Sequence, residues 1–130
     1  MAVLFASVWL ASGCGARDPT APTSVTSTPA APSTRSRVLM VTTTAGFRHD
    51  SIPTARQVMN SLGASTGEFT ITATEDLSAL SAETLGGYDV IMFALTSGEL
   101  PLSAVQKRVL IDFVSSGHGF IGVHSATEGR

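Results

Sequence analysis

From Arg37 onward, short unbroken apolar runs alternate with stretches of helical periodicity. Val38-Leu39-Met40-Val41 is a continuous apolar run, the pattern of a strand buried on both faces of a parallel sheet. Asp50 or Ser51 can cap a following helix with Pro53 in its first turn. That helix is predicted to reach about Leu62, with Val58 and Leu62 on its inner face and Gly63 as its stop. Phe69-Thr70-Ile71-Thr72-Ala73 alternates apolar and polar residues, which suits a more peripheral strand. Glu75 to Gly87 reads as a loop with a short helical turn at Ser81–Leu85.

The pattern then repeats. Tyr88 to Ala94 predicts a second central strand, followed by a loop from Leu95 to Leu102. Ser103 can cap a helix running to about Ser115, with Val105, Val109 and Phe113 spaced four apart on one stripe. Gly117 stops it, and Phe120-Ile121-Gly122-Val123 is the fourth strand. Strands alternating with helices imply an α/β fold: a parallel sheet with right-handed crossovers.

The residues before Arg37 change the picture. Val3 to Ala11 is an apolar run too short to span a bilayer, which takes about 20 residues, but it has the length of a signal-peptide core. Ser12-Gly13-Cys14 follows, and residues 1–14 resemble a bacterial lipoprotein signal whose cysteine becomes the lipidated N-terminus. Ala11 stands where leucine is commoner, and no Lys or Arg precedes the run. The expectation is a lipid anchor on Cys14 and a place in the cell envelope, membrane-anchored or secreted. Residues 15–36 are rich in Pro, Thr, Ser and Ala, with too little apolar surface to fold, and read as a disordered tether. Residues 37–130 form the folded part.

Composition adds mainly exclusions. A net charge of -2 gives no basic footprint for nucleic acid. Cys14 is the only cysteine, so no intramolecular disulfide can form. The chain carries no GxGxxG, no phosphate loop, no CxxC and no serine-centred elbow.

Candidate chemistry sits at two strand exits. In an open α/β sheet, ligands bind outside the carboxyl ends of the strands. His49 follows the first strand and His124 the fourth, so both fall on that rim. A neutral imidazole can act there as general base or metal ligand. Asp50 or Glu128 could orient one of them, and the planar fork of Arg48 suits a carboxylate or sugar hydroxyls. Thr42, Thr43 and Thr44 offer hydroxyls, and Thr96-Ser97-Gly98 lies on the same rim. With Arg48, Thr44 and Ser125 complete the expected ligand-binding set. A zinc-like divalent metal would start from His49 and His124 but needs three or four ligands. His118 precedes the fourth strand, roughly 13–20 Å from His124, and is expected to play no part.

The segments Thr42-Thr43-Thr44-Ala45-Gly46-Phe47-Arg48-His49-Asp50-Ser51-Ile52 and Gly117-His118-Gly119-Phe120-Ile121-Gly122-Val123-His124-Ser125-Ala126 resemble the two motifs of the ThuA-like, or trehalose-utilisation, family. His118 replaces the middle glycine of the second motif. Thr74-Glu75-Asp76 and Tyr88-Asp89 fit between them, so the resemblance covers Arg37 to Thr127. It implies the class I glutamine amidotransferase-like fold, itself flavodoxin-like. The family's domain continues well past this point, so the expectation is its N-terminal part, truncated after the fourth strand. In the parent fold a nucleophilic cysteine occupies the elbow after this strand. Here that position is His124, which excludes glutamine hydrolysis by a cysteine nucleophile. The resemblance implies a sugar or sugar derivative as small-molecule partner. Two alternatives stand beside it: a non-catalytic carbohydrate- or ligand-binding module, and an inactive gene fragment whose last strand is an unprotected apolar edge.

Overall fold

The computed structural model describes residues 35–127. Cys14, the expected 1–14 signal and all but the end of the expected 15–36 tether lie outside the described residues, as does Glu128. Among the described residues, four strands form one parallel sheet: β1 (Ser36–Val41), β2 (Phe69–Thr74), β3 (Val90–Ala94) and β4 (Gly119–Val123), in the order β2-β1-β3-β4. Three helices connect them: α1 (Ile52–Thr66), α2 (Ala82–Leu85) and α3 (Ala104–Ser115). Single 3-10 turns at Leu77–Ala79 and Ser125–Thr127 complete the elements. Among the described residues no helix is long and apolar enough to cross a membrane.

The two faces of the sheet explain the unbroken apolar runs. Val38 and Met40 of β1 join Met92 and Ala94 of β3 on one face, where Ala55 and Met59 of α1 cover them. Leu39 and Val41 join Ile91 and Phe93 on the other, under Leu80, Leu85 and Phe113. Successive residues point to opposite faces, so a central strand covered on both sides has no position left for polar side chains. β2 is paired on one side only, and its mixed pattern fits that edge place.

α1 departs from its expected form in length and in phase. It runs through Gly63 to Thr66 and ends at Gly67, which takes φ 74° and donates to the Gly63 carbonyl at 3.0 Å. Gly63 is a packing glycine: a Cβ there would come within 2.8 Å of the Phe69 carbonyl oxygen. Helix and strand approach closely at that point, and only a missing side chain allows it. Val58 and Leu62 are exposed; Ile52, Ala55 and Met59 face the sheet instead. Ser51 occupies the cap position without a side-chain hydrogen bond.

α3 agrees in extent and differs in one residue. Ser103 and Gln106 form a capping box, the Gln106 amide donating to Ser103 Oγ at 3.2 Å and the Ser103 amide to Gln106 Oε1 at 2.9 Å. Val109 and Phe113 pack inward, but Val105 is exposed. A strict four-residue spacing drifts by about 40° per step around a helix of 3.6 residues per turn. Two steps carry Val105 off the buried stripe.

The amino ends of the strands are tied by Asp89. Its carboxylate accepts from the Arg37 amide at 2.7 Å and from the guanidinium at 3.1 and 3.2 Å. Its own amide donates to the Arg37 carbonyl, and its carbonyl accepts from Gly119. Beneath β4, Gly119 lies against Val90, where a Cβ would meet Val90 Cγ2 at 2.9 Å.

The hydrogen bonds from Arg37 hold the Asp89 carboxyl down at about 2. A carboxyl lowered in the folded state stabilises above its unfolded value of about 3.9 and loses that effect as pH falls towards about 2. Asp89→Asn is therefore expected to flatten the acid limb of stability between those values. Urea unfolding at a series of pH values measures it, and an unchanged acid limb would contradict the assignment.

Candidate functional site

The in-register parallel pairing brings the carboxyl ends of β1, β3 and β4 to one level, and their loops meet there. The loop after β1 is held from two sides. Towards β3, the amides of Ala45 and Gly46 both donate to the Ser97 carbonyl at 2.9 Å, and the Ser97 hydroxyl donates to the Phe47 carbonyl. Gly98, at φ 75°, lies so close that a Cβ would meet the Gly46 nitrogen at 2.7 Å.

Towards β2, Glu75 is the anchor. Arg48 donates both prongs of its fork to the Glu75 carboxylate, at 2.8 and 2.9 Å. Arg56 of α1 donates to the same carboxylate at 2.7 Å and also to the Thr42 hydroxyl. The Thr43 hydroxyl donates to the Glu75 carbonyl at 2.6 Å. Hydrogen bonding from Arg48 lowers the Glu75 carboxyl below its usual range, against a smaller opposing effect of burial.

Between these anchors stands His49. Its ring meets Phe47 edge to face at 4.9 Å and His124 at 4.8 Å with 70° between the planes. The Ser125 hydroxyl lies 3.5 Å from His49 Nε2, at the limit of a hydrogen bond. His124 itself takes φ 57° immediately after β4, and Leu95 takes φ 58° immediately after β3. The Leu95 amide donates to the Val123 carbonyl at 3.1 Å and ties the two exits together. Histidine visits the left-handed region more readily than most residues; leucine does not. The turn lifts the chain sharply out of the sheet and sets the His124 ring against that of His49.

The structure thus unites His49, His124 and Ser125, which are 75 and 76 residues apart from the first in sequence. Arg48, expected at the ligand, donates its fork to Glu75 and holds the loop. Thr44 is half-buried on that loop, and Asp50 is exposed on it. Thr42 and Ser97 are buried structural hydroxyls. His118 lies at the other end of β4, stacked 4.2 Å from Phe113 with Nδ1 3.0 Å from Ser116 Oγ.

Sequence reading missed Glu75 and Arg56 as builders of the site. The signal for Glu75 was its place just after the second strand, which becomes informative once β2 is known to lie beside β1. Among the described residues no group of three or more His, Cys, Asp or Glu side chains could hold a metal. Two imidazoles alone do not fit a zinc site of three or four ligands.

The ThuA family model, described as trehalose utilisation, matches residues 37–130. A crystal structure of a protein described as ThuA-like, from Bacteroides uniformis ATCC 8492, superposes with a TM-score of 0.55 at 22% identity. The match covers 74% of this chain and 38% of that one, so the likeness concerns the fold. No curated protein matches.

Glu75→Gln keeps the shape of the anchor and removes its charge. Exposed ion pairs contribute about 0.2–1 kcal/mol each, so global stability is expected to fall only slightly. Amide exchange at Ala45 and Gly46, whose amides donate to the Ser97 carbonyl, is expected to quicken clearly more. Since the Glu75 carboxyl is lowered in the fold, its contribution is present above the usual carboxylate range and lost on acidification. The variant should show less of that loss. Hydrogen exchange by NMR reads both, and loop protection equal to that of the parent chain would refute the anchoring role.

Proposed function

The chain belongs to the ThuA, or trehalose-utilisation, family, and from that premise we propose that its rim acts on a carbohydrate, trehalose or a related sugar derivative. The observation that carries this reading is the pair of imidazoles 4.8 Å apart at the sheet's carboxyl edge. Two groups able to accept and return protons, set side by side, suit acid–base chemistry on neighbouring positions of a polyol. In isomerisation His124 takes a proton from the carbon beside the carbonyl, and His49, steadied by Ser125 and Phe47, gives one to the neighbouring position; in hydrolysis His124 takes one from water while His49 gives one to the leaving glycosidic oxygen. Hydrolysis, isomerisation and proton transfer beside a keto group all draw on such a pair. A divalent metal would need ligands beyond His49 and His124, and no step is assigned to one.

The test uses the full chain with trehalose, glucose and a keto sugar. Glucose release reports hydrolysis, and carbon-bound deuterium uptake in heavy water reports the other two reactions. His49→Gln and His124→Asn are each expected to lower turnover about 100-fold or more, with binding changed little. Asparagine is chosen at 124 because it tolerates the left-handed backbone. Binding without turnover by the parent chain would favour the module reading, and binding of no sugar would end the proposal.

We also propose that the domain is held at the cell envelope by a lipid on Cys14, through the 15–36 tether. The support is the apolar run and small residues that precede the cysteine. Palmitate labelling in a bacterial host is expected for the parent chain and lost in Cys14→Ser; an unlabelled parent chain in the soluble fraction would contradict it.

A further inference from the structure

β2 stands at the edge of the sheet furthest from β4, and among the described residues no strand pairs with its outer side. The Ser36 amide donates to the Glu68 carbonyl and the Thr42 amide to the Thr74 carbonyl, both at 3.0 Å. Along a strand, successive residues turn their backbone groups to opposite sides. Thr70 and Thr72 therefore bond to β1 as well, and the amides and carbonyls of Phe69, Ile71 and Ala73 point away from the sheet. Exposed edges of this kind are usually blunted by proline, lysine or a bulge. Phe69–Thr74 has none of these. Beside it, a hollow of about 310 Å³ between Asn60 and Ala64 of α1 and Phe69 and Ile71 of β2 leaves room for a neighbour at the helix flank.

We propose that this edge is the interface of a two-fold dimer, in which β2 of a second copy pairs antiparallel with β2 and the two sheets become one. A two-fold axis makes the contact self-complementary, each residue meeting one that meets it in turn. Only outward-facing residues can exchange both hydrogen bonds across such an edge. With Ile71 on the axis, Phe69 pairs with Ala73 and every outward group finds a partner; no other register pairs all three residues. The side chains agree with that register. Phe69 sets a large ring against the small Ala73 on the face covered by α1, and Thr70 meets Thr72 on the other face, a favourable cross-strand pair. Glu68 falls opposite Thr74, so no like charges are opposed. One step beyond the strand, Glu75 falls opposite Gly67, where the Arg35 guanidinium lies 3.6 Å from the place a Cβ would take. The acidic Glu75 of one copy thus comes beside the basic Arg35 of the other. The carboxylate that anchors the β1 loop is thereby brought to the border of the interface.

Sedimentation of the full chain over a wide range of concentration is expected to show a monomer–dimer equilibrium. Thr70 and Thr72 are exposed, so charges placed there leave the core untouched. Thr70→Lys with Thr72→Lys opposes like charges on both sides of the axis and is expected to weaken the dimer about 10-fold. Thr70→Lys with Thr72→Glu opposes unlike charges at the same points and is expected to restore it to within about threefold of the parent chain. A parent chain monomeric throughout would overturn the proposal. So would a dimer indifferent to both variants, or one weakened equally by both. Amide exchange in the parent chain gives a reading that needs no variant: protection of Phe69, Ile71 and Ala73 is expected to rise with concentration. Protection that does not vary with concentration would mean that other residues of the same chain cover the edge, and would overturn the dimer. Unprotected amides at concentrations where the dimer prevails would place the contact elsewhere and do the same.

Discussion

Everything at the rim depends on parallel strand pairing. Parallel strands cannot be joined by tight hairpins, so each exit loop must run back over a helix before its next strand. The exits of β1, β3 and β4 are therefore left together at one edge, each carrying backbone amides and carbonyls that need partners. The loops here satisfy one another. Ser97, from the β3 exit, accepts from two amides of the β1 loop, and Leu95 is joined to Val123 at the β4 exit. The site is a by-product of that mutual satisfaction: loops forced to bond to each other bring His49 and His124 into contact.

Strain and packing share the work of setting geometry. Two residues other than glycine, Leu95 and His124, take positive φ at adjacent strand ends. Such conformations cost roughly 1–3 kcal/mol each and persist where the surroundings over-determine them. The surroundings here are β3 and β4, whose register places Ala94 opposite Val123, one residue before each turn. A loop free to relax would not keep either residue there. The rigid sheet thus fixes the His124 backbone, and the histidine is a residue type that bears the conformation at less cost than leucine does.

Charge and chemistry are separated along the β1 loop. Arg48 and His49 are neighbours, yet Arg48 turns to Glu75 and His49 to His124. Arg56 closes the same carboxylate from the helix, so three charged side chains tie β2, the loop and α1 into one unit. The pairs are half-exposed and contribute modestly to overall stability. Their effect is local: they remove the freedom of a loop that otherwise carries glycine at position 46 and an exposed Phe47. What remains at the rim is a pair of imidazoles in edge-to-face contact, with the Ser125 hydroxyl 3.5 Å from His49 Nε2.

How far such an arrangement is legible before folding depends on the range of the interactions that make it. β1 and β3 could be read directly, because burial on both faces leaves a signature within each strand. The meeting of His49 and His124 was also legible, since strand exits in a parallel sheet share an edge whatever the side chains are. Gly63 misled because a glycine that ends a helix and one that admits a neighbouring strand look alike in sequence. The difference lies in Phe69, six residues on and in another element. The Arg48–Glu75 pair was hidden for a stronger reason. Its partners are 27 residues apart and meet only because β2 pairs with β1 on the side away from β3. Strand order is decided by the packing of the whole sheet, and no local pattern contains it. Hence the residues that meet at the carboxyl edge were open to inspection, while those that hold them in place became visible only with the fold.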